Sequence, residues 1–174
     1  MNWTDLLKSE IETTFATTLK LLDKVHPDSL GWKPESGANW MTVSQLLKHL
    51  GNGCGAGCQG FVTGDWGLPP GVRMEELPPE QMLPPAEKLP AIKSVAAARQ
   101  LLLEDKALAL QMIDQAGEDA LDNRQVSAPW APAETASLGQ FLLQMVKHLD
   151  RHKGQLFYYL KLQGVPVTTE DLWG

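Results

Sequence analysis

The chain has little of what would staple a fold together, draw it to nucleic acid or carry it into a membrane. Its only cysteines, Cys54 and Cys58, are four positions apart. That is too close to tie distant parts of a fold, so reduced, core-packed thiols are expected. The two-residue gap of a redox cysteine pair is missing as well. There is no basic excess: 15 Lys and Arg stand against 21 Asp and Glu, a formal net charge of −6. The basic residues are scattered and form no stripe, which excludes a nucleic-acid-binding surface. No uninterrupted apolar run approaches the roughly 20 residues that span a bilayer. The opening residues are acidic early and have no apolar leader segment. A cytoplasmic protein with no membrane partner is expected. Internal repeats and tail-like charge blocks are also lacking.

What is present reads as one compact domain over residues 1–174. The 43% hydrophobic and 21% charged fractions are ordinary for a globular chain that can bury its own core. Helical periodicity marks four segments separated by Pro- and Gly-rich stretches, so the fold class is all-α, a four-helix bundle with essentially no sheet. The first helix is expected from Thr4 to Val25, with Leu7, Ile11, Phe15, Thr18 and Leu22 facing inward. His26-Pro27 ends it, because a residue before proline leaves the α region. In the linker that follows, Trp32 and Trp40 should pack their indoles against the bundle.

The second helix begins near Thr42 and buries Val43, Leu46, Leu47, Leu50, Cys54 and Phe61. Gly51, Gly53, Gly55, Gly57 and Gly60 crowd its second half. Each costs about 1 kcal/mol relative to alanine inside a helix, so either close helix contact offsets the cost or the helix breaks; a continuous, closely packed helix is the expectation. From Gly64 to Pro90 the chain holds seven prolines. A connection of that length can cross a whole bundle, which permits up-down-down-up connectivity. The third helix is expected from Ile92 to Ala116, burying Val95, Leu102, Leu103, Leu110 and Ile113, with Gly117 as its C-terminal cap. The fourth runs from Glu134 to Leu162 and buries Leu138, Phe141, Met145, Leu149, Leu156 and Tyr159. Gly164 and Pro166 stop it.

The fourth helix carries the most informative feature, His148 and His152. Four positions apart, they share one helix face, about 40° apart on a helical projection. Gln144 and Gln155 lie on the same side, and the imidazoles face the core. A helix offers two imidazoles to one metal in this way, and a third ligand must come from elsewhere. His26 sits at a helix end before proline and reads as a cap or a solvated loop residue. His49, on the second helix, stands beside Gln45, Asn52 and Gly53, whose small or polar side chains leave room for a metal, a water and a small ligand. Cys54 and Cys58 project about 140° and 180° from His49 on a regular helix and stay out of the site. The pattern alone divides evenly between metal ligands and hydrogen-bonded core histidines. It is not that of a zinc protease, since Leu149 occupies the position of that class's general-base glutamate. The six tryptophans fall mostly at helix ends and in loops, and read as packing anchors rather than a ligand cage.

With Leu30-Gly31-Trp32-Lys33-Pro34, Trp40 followed by Thr42 to Leu50, and His148 to Gln155 running on to Pro166, the chain resembles the DinB/YfiT-like family, grouped as metal-dependent enzymes although many members have no assigned reaction. The resemblance covers the whole chain. It implies a four-helix bundle with up-down-down-up connectivity and three metal ligands at His49, His148 and His152. It further implies a divalent ion such as nickel or zinc, its shell completed by water, and in some relatives a low-molecular-weight thiol whose sulfur meets the metal. A small-molecule substrate is implied as partner, and a homodimer is compatible with the fold. Two functions then compete. One is a metal-dependent transferase or hydrolase that activates a thiol or water. The other is a non-catalytic metal- or small-molecule-binding protein of a stress response, suggested by the lack of an accompanying carboxylate base. A purely structural role for the histidines is a third reading.

Overall fold

The structure is a computed structural model and describes residues 2–174. It is mostly helical. Helix α1 spans Trp3–Leu22, α2 Val43–Leu50, α3 Gly55–Thr63, the short α4 Pro79–Met82, α5 Val95–Asn123, α6 Leu138–Leu162 and the short α7 Thr169–Trp173. An antiparallel hairpin of β1, Gln125–Ala128, and β2, Ala131–Ser137, lies between α5 and α6.

The apolar stripes fall largely where periodicity places them, except that Met145 of α6 is only half-buried. Leu7, Ile11, Phe15, Thr18 and Leu22 of α1 are buried, as are Val43, Leu46, Leu47 and Leu50 of α2 and Leu138, Phe141, Leu149, Leu156 and Tyr159 of α6. Trp32 and Trp40 pack edge-on to Tyr159, with ring centroids 5.2 Å and 6.2 Å away. On α5 the stripe is less complete, since Leu103 remains exposed while Leu102 and Ile113 are buried. Ion pairs at the edges follow the antiparallel course of α1 and α5: Arg99 meets Asp23, Lys106 meets Glu12 and Lys8 meets Asp114. Both cysteines are free and buried. A hydrogen bond with Cys58 that favours the protonated thiol, followed by burial, pushes Cys54 well above its ordinary range, so Cys54 packs as an unreactive thiol.

Several boundaries differ from the sequence expectation, each for a local reason. Helix α1 starts at Trp3 because the Asn2 side chain, not Thr4, accepts the capping hydrogen bond, from Asp5 N–H. The expected third helix starts at Val95, capped by Ser94, and its regular part does stop before Gly117, whose φ of 71° and ψ of 163° are non-helical; a second helical piece then carries α5 on to Asn123. The expectation of no sheet is wrong. Residues 125–137, including Pro129 and Pro132, form the hairpin, so the last long helix starts at Leu138 and not at Glu134. The start signal is a capping box between Ser137 and Gln140.

The second helix is not continuous. It ends at Leu50 and restarts at Gly55. Across the break, the carboxylate of Asp105 on α5 accepts hydrogen bonds from the backbone N–H groups of Cys54, at 3.1 Å, Gly55, at 2.8 Å, and Ala56, at 3.0 Å. These are the orphan donors that begin α3, and a carboxylate beneath them complements the helix dipole. Asp105 is only 4% exposed. Burial holds its carboxyl above the usual carboxylate range, and the three N–H donors offset only part of that rise. Gly55 is required at this contact because an added Cβ would collide with the Asp105 carbonyl. The close contact inferred from the glycine run is therefore real, but it accompanies a break.

The C-terminal segment is pinned by Lys153, 5% exposed, which donates to the Leu172 carbonyl at 2.9 Å and pairs with Asp150 at 2.8 Å. Asp105→Ala leaves two buried donors and one half-buried donor without an acceptor and should lower stability by on the order of 3 kcal/mol in urea denaturation. Asp105→Asn, which keeps one acceptor oxygen, should lose less. A loss within about 0.5 kcal/mol of zero for the alanine variant would show that the clamp contributes nothing.

Candidate metal centre

Two capping boxes set the helices that carry the histidines. Thr42 and Gln45 begin α2, and Ser137 and Gln140 begin α6. Burial of Leu46, Leu47 and Leu50 then fixes the rotation of α2, and burial of Val146, Leu149 and Leu156 that of α6. His49 in the last turn of α2 consequently meets His148 and His152. The ring centroids lie 4.8 Å apart for His49 and His148, 4.4 Å for His49 and His152, and 4.6 Å for His148 and His152. Each ring stands edge-on to the other two, at interplanar angles of 81°, 89° and 77°. One ligand nitrogen from each ring falls within 4.8 Å of the others. The rings are half-buried at the edge of the core rather than sunk in it.

This donor set fits a divalent metal. His49 Nε2 and His148 Nε2 face each other at 3.1 Å, close to the roughly 3 to 3.4 Å that separates two nitrogens each about 2.0–2.1 Å from one ion. Burial, reinforced by the charges of His152 and His148, depresses the His49 pKa from 6.5 to about 3. Burial, with His152 and Arg151, brings His148 down to about 4. His152 is also lowered, chiefly by burial and secondarily by Arg151, against a hydrogen bond with Gln155 that raises it. All three imidazoles are therefore neutral at pH 7, the form that binds metal.

The hydrogen bonds behind His152 fix its tautomer. The Met41 carbonyl can only accept, so Tyr159 Oη donates to it, at 2.9 Å. The Tyr159 oxygen then accepts from the Gln155 amide nitrogen at 3.0 Å. That turns Gln155 Oε1 toward His152 Nδ1, 3.0 Å away. An amide oxygen only accepts, so Nδ1 carries the proton and Nε2 is left with its lone pair.

The remaining expected residues divide. Asn52, Gly53 and Gln144 line a cavity of about 570 Å³ beside His49 and His148. Gly53 lies where an added Cβ would stand 3.1 Å from His148 Nδ1. Gln45 does not join the cavity. Its side-chain oxygen closes the capping box, and its amide nitrogen donates to the Glu87 and Leu89 carbonyls, fastening the end of the crossover. His26 is far from the triad in role as well as sequence, with its Nδ1 accepting from Asp28 N–H in a turn.

Residues the sequence reading missed supply the opposite wall. Trp66, Met74, Met82 and Leu83 come from the crossover, and Trp130 from the hairpin turn. Trp66 and Trp130 contact each other edge-on at 5.7 Å and pack on Phe61, so two of the supposed anchors are also cavity walls. Lys147 and Arg151 of α6 complete the lining. On a helical projection Arg151 stands about 60° from His148 and Lys147 about 100°, so Arg151 borders the histidine face and nothing in the spacing marks Lys147.

Comparison with known proteins places this geometry in context. The family model described as the DinB superfamily matches residues 10–156. No curated protein matches the chain. A solved structure, that of a DinB-like protein, YjoA, from Bacillus subtilis, aligns with a TM-score of 0.65 at 17% sequence identity and covers 94% of each chain. At that identity the likeness shows the fold alone.

The depressed histidine pKa values give a signed pH dependence. Below about pH 6.5 the unfolded chain takes up protons that folded His49 and His148 refuse. Metal-free protein should therefore be most stable above about 6.5 and lose stability as the pH falls toward 4. The urea midpoint should drop between pH 7 and pH 5, and less steeply in His148→Ala; a midpoint that rose on acidification would contradict the burial argument. Nitrogen-15 spectra of the same protein should show the Nδ1–H tautomer at His152, and mixed tautomers in Gln155→Leu. Nε2–H at His152 in the unmodified chain would rule out the hydrogen-bond order given above.

Proposed function

The chain belongs to the DinB superfamily, and from that premise we propose that His49, His148 and His152 hold one divalent first-row ion in a metal-dependent transferase or hydrolase acting on a small molecule. The observation that carries the reading is the convergence of three neutral, mutually edge-on imidazoles, two of which, His49 and His148, line a cavity. Three imidazoles with no carboxylate or thiolate suit nickel or zinc among the available ions, with coordination positions left for water or a low-molecular-weight thiol. When bound, such an ion acidifies a water or thiol or polarises a carbonyl.

The chain's own residues have distinct parts in this scheme. Gln155 and Tyr159 hold His152 with its ligand nitrogen free. Gly53 gives His148 room to turn toward His49. Trp66 and Trp130 exclude water from one side of the cavity.

We read the architecture as one four-helix domain of up-down-down-up connectivity, with α2 and α3 together forming its second member. Supporting this, Gly51 adjoins Leu101 and Arg124 reaches the Phe61 carbonyl, so α2–α3 and α5 run the same way. Gly57 adjoins Met145 and Tyr159 reaches Met41, so α6 runs opposite to α2–α3.

A second reading, a binding protein without turnover, is favoured by one observation. No Asp or Glu lines the cavity to serve as a base.

Elemental analysis of protein purified without chelator or histidine tag tests the metal reading. Near-stoichiometric nickel or zinc is expected, falling at least about tenfold in each of His49→Ala, His148→Ala and His152→Ala. Metal retained after all three changes, or an unmodified chain that takes up neither nickel, zinc nor manganese, would sink it.

A further inference from the structure

The cavity beside the histidines is electrostatically unlike the rest of the molecule. The chain has 21 acidic and 15 basic residues, yet no acidic residue lines this cavity, while Lys147 and Arg151 both do. The two cations are one turn apart on α6, on either side of His148 in sequence. Neither forms an ion pair among the described residues. Asp150, the carboxylate between them in sequence, is engaged instead with Lys153. Two unneutralised cations on one rim of a concave site attract an anion, and the low-dielectric wall behind them strengthens the attraction.

That wall is apolar and aromatic. Trp66 and Trp130 meet edge to face at 5.7 Å, and Met74 and Met82 extend the same surface. At about 570 Å³ the space is in the usual range of small-molecule sites. It is large enough for a body of one or two rings.

We propose that the cavity takes an organic carboxylate with an aromatic-sized apolar body, the body against Trp66, Trp130, Met74 and Met82 and the carboxylate on Lys147 and Arg151. This rests on the preceding reading only in taking the cavity as the place where the substrate sits. Recognition by the two cations needs no metal. Gln144 and Asn52, also on the lining, offer amides to any further polar group on the body.

Isothermal titration with chelator-stripped protein at low ionic strength tests the assignment, using 2-naphthylacetate, its neutral amide and 2-(2-naphthyl)ethylamine as probes. The acid is expected to bind roughly tenfold more tightly than the amide, because hydrogen bonds to a charged partner are about twice as strong as neutral ones. The amine is expected to bind weakest, and the preference for the acid should shrink with added salt. Lys147→Gln with Arg151→Gln changes two exposed side chains. In that double variant the acid should keep less than about a twofold advantage, with amide affinity unchanged. Equal affinity for acid and amide, a preference that survives loss of both cations, or no binding of any probe would each overturn the proposal. A preference that arises only on adding nickel or zinc and ignores the double variant would place the carboxylate on the metal. That also overturns the proposal while leaving the metal reading intact. Conversely, a chain that binds no metal but still prefers the acid through Lys147 and Arg151 would retain this proposal and lose the other.

Discussion

The site depends on one buried carboxylate. Asp105 gathers the backbone N–H groups of Cys54, Gly55 and Ala56, and so stabilises a break in a helix that periodicity alone would carry straight through. Without an acceptor, the donors of Cys54 and Gly55 would be buried unpaired, each costing about 1–3 kcal/mol, and the half-buried Ala56 donor would lose its partner as well. With it, α2 can stop one residue after His49, and α3 can set off afresh toward Phe61. The residues between them, Asn52 and Gly53, then fall beside His148 and form cavity lining. An interaction that contacts none of the imidazoles, and meets the cavity only through the backbone of Ala56, thereby helps decide where both lie.

The rigid and variable parts of the molecule separate along the same line. The histidines stand on α2 and α6, whose rotations are fixed by fully buried leucines and by capping boxes at their starts. The facing wall is assembled from a connection and a hairpin turn. These are tied down at particular points: the Gln45 amide on the Glu87 and Leu89 carbonyls, and the Trp66 ring against the backbone of Gly60. Behind His152, the order Met41, Tyr159, Gln155 passes a single hydrogen-bond direction from the core to the ring. The histidine thus inherits its protonated nitrogen from a backbone carbonyl.

The legible part of the sequence was what repeats with the helix. The stripes of α1, α2 and α6 bury as their spacing demands, and a histidine pair four apart with His49 opposite converges as one triad. What could not be read depends on contacts between distant residues. The break at Gly51 to Cys54 is set by an aspartate about fifty positions away, on a helix face where the sequence shows only one more charged residue. The hairpin was hidden because its residues, rich in Ala and Pro, have no alternation of polarity; their exposure pattern is mostly outward, with Ala128 buried. Gln45 looked like a site residue because it lies one turn before His49, but a capping side chain bends back to its own helix start. Trp66 and Trp130 could be seen as aromatic, though not as neighbours, since 63 residues separate them until the chain folds.

The crossover from Gly64 to Pro90 holds four of the cavity's apolar residues without belonging to a long helix. Its seven prolines restrict the unfolded chain and so reduce the entropy lost in ordering it. Because this wall hangs on the scaffold rather than forming it, substitutions at Met74, Met82 or Leu83 can reshape what fits inside at little cost to the bundle. Divergence of ligand preference is thereby uncoupled from preservation of the ligand-nitrogen cluster. Chains with the same three imidazoles can explore unrelated chemistries by rewriting a single loop.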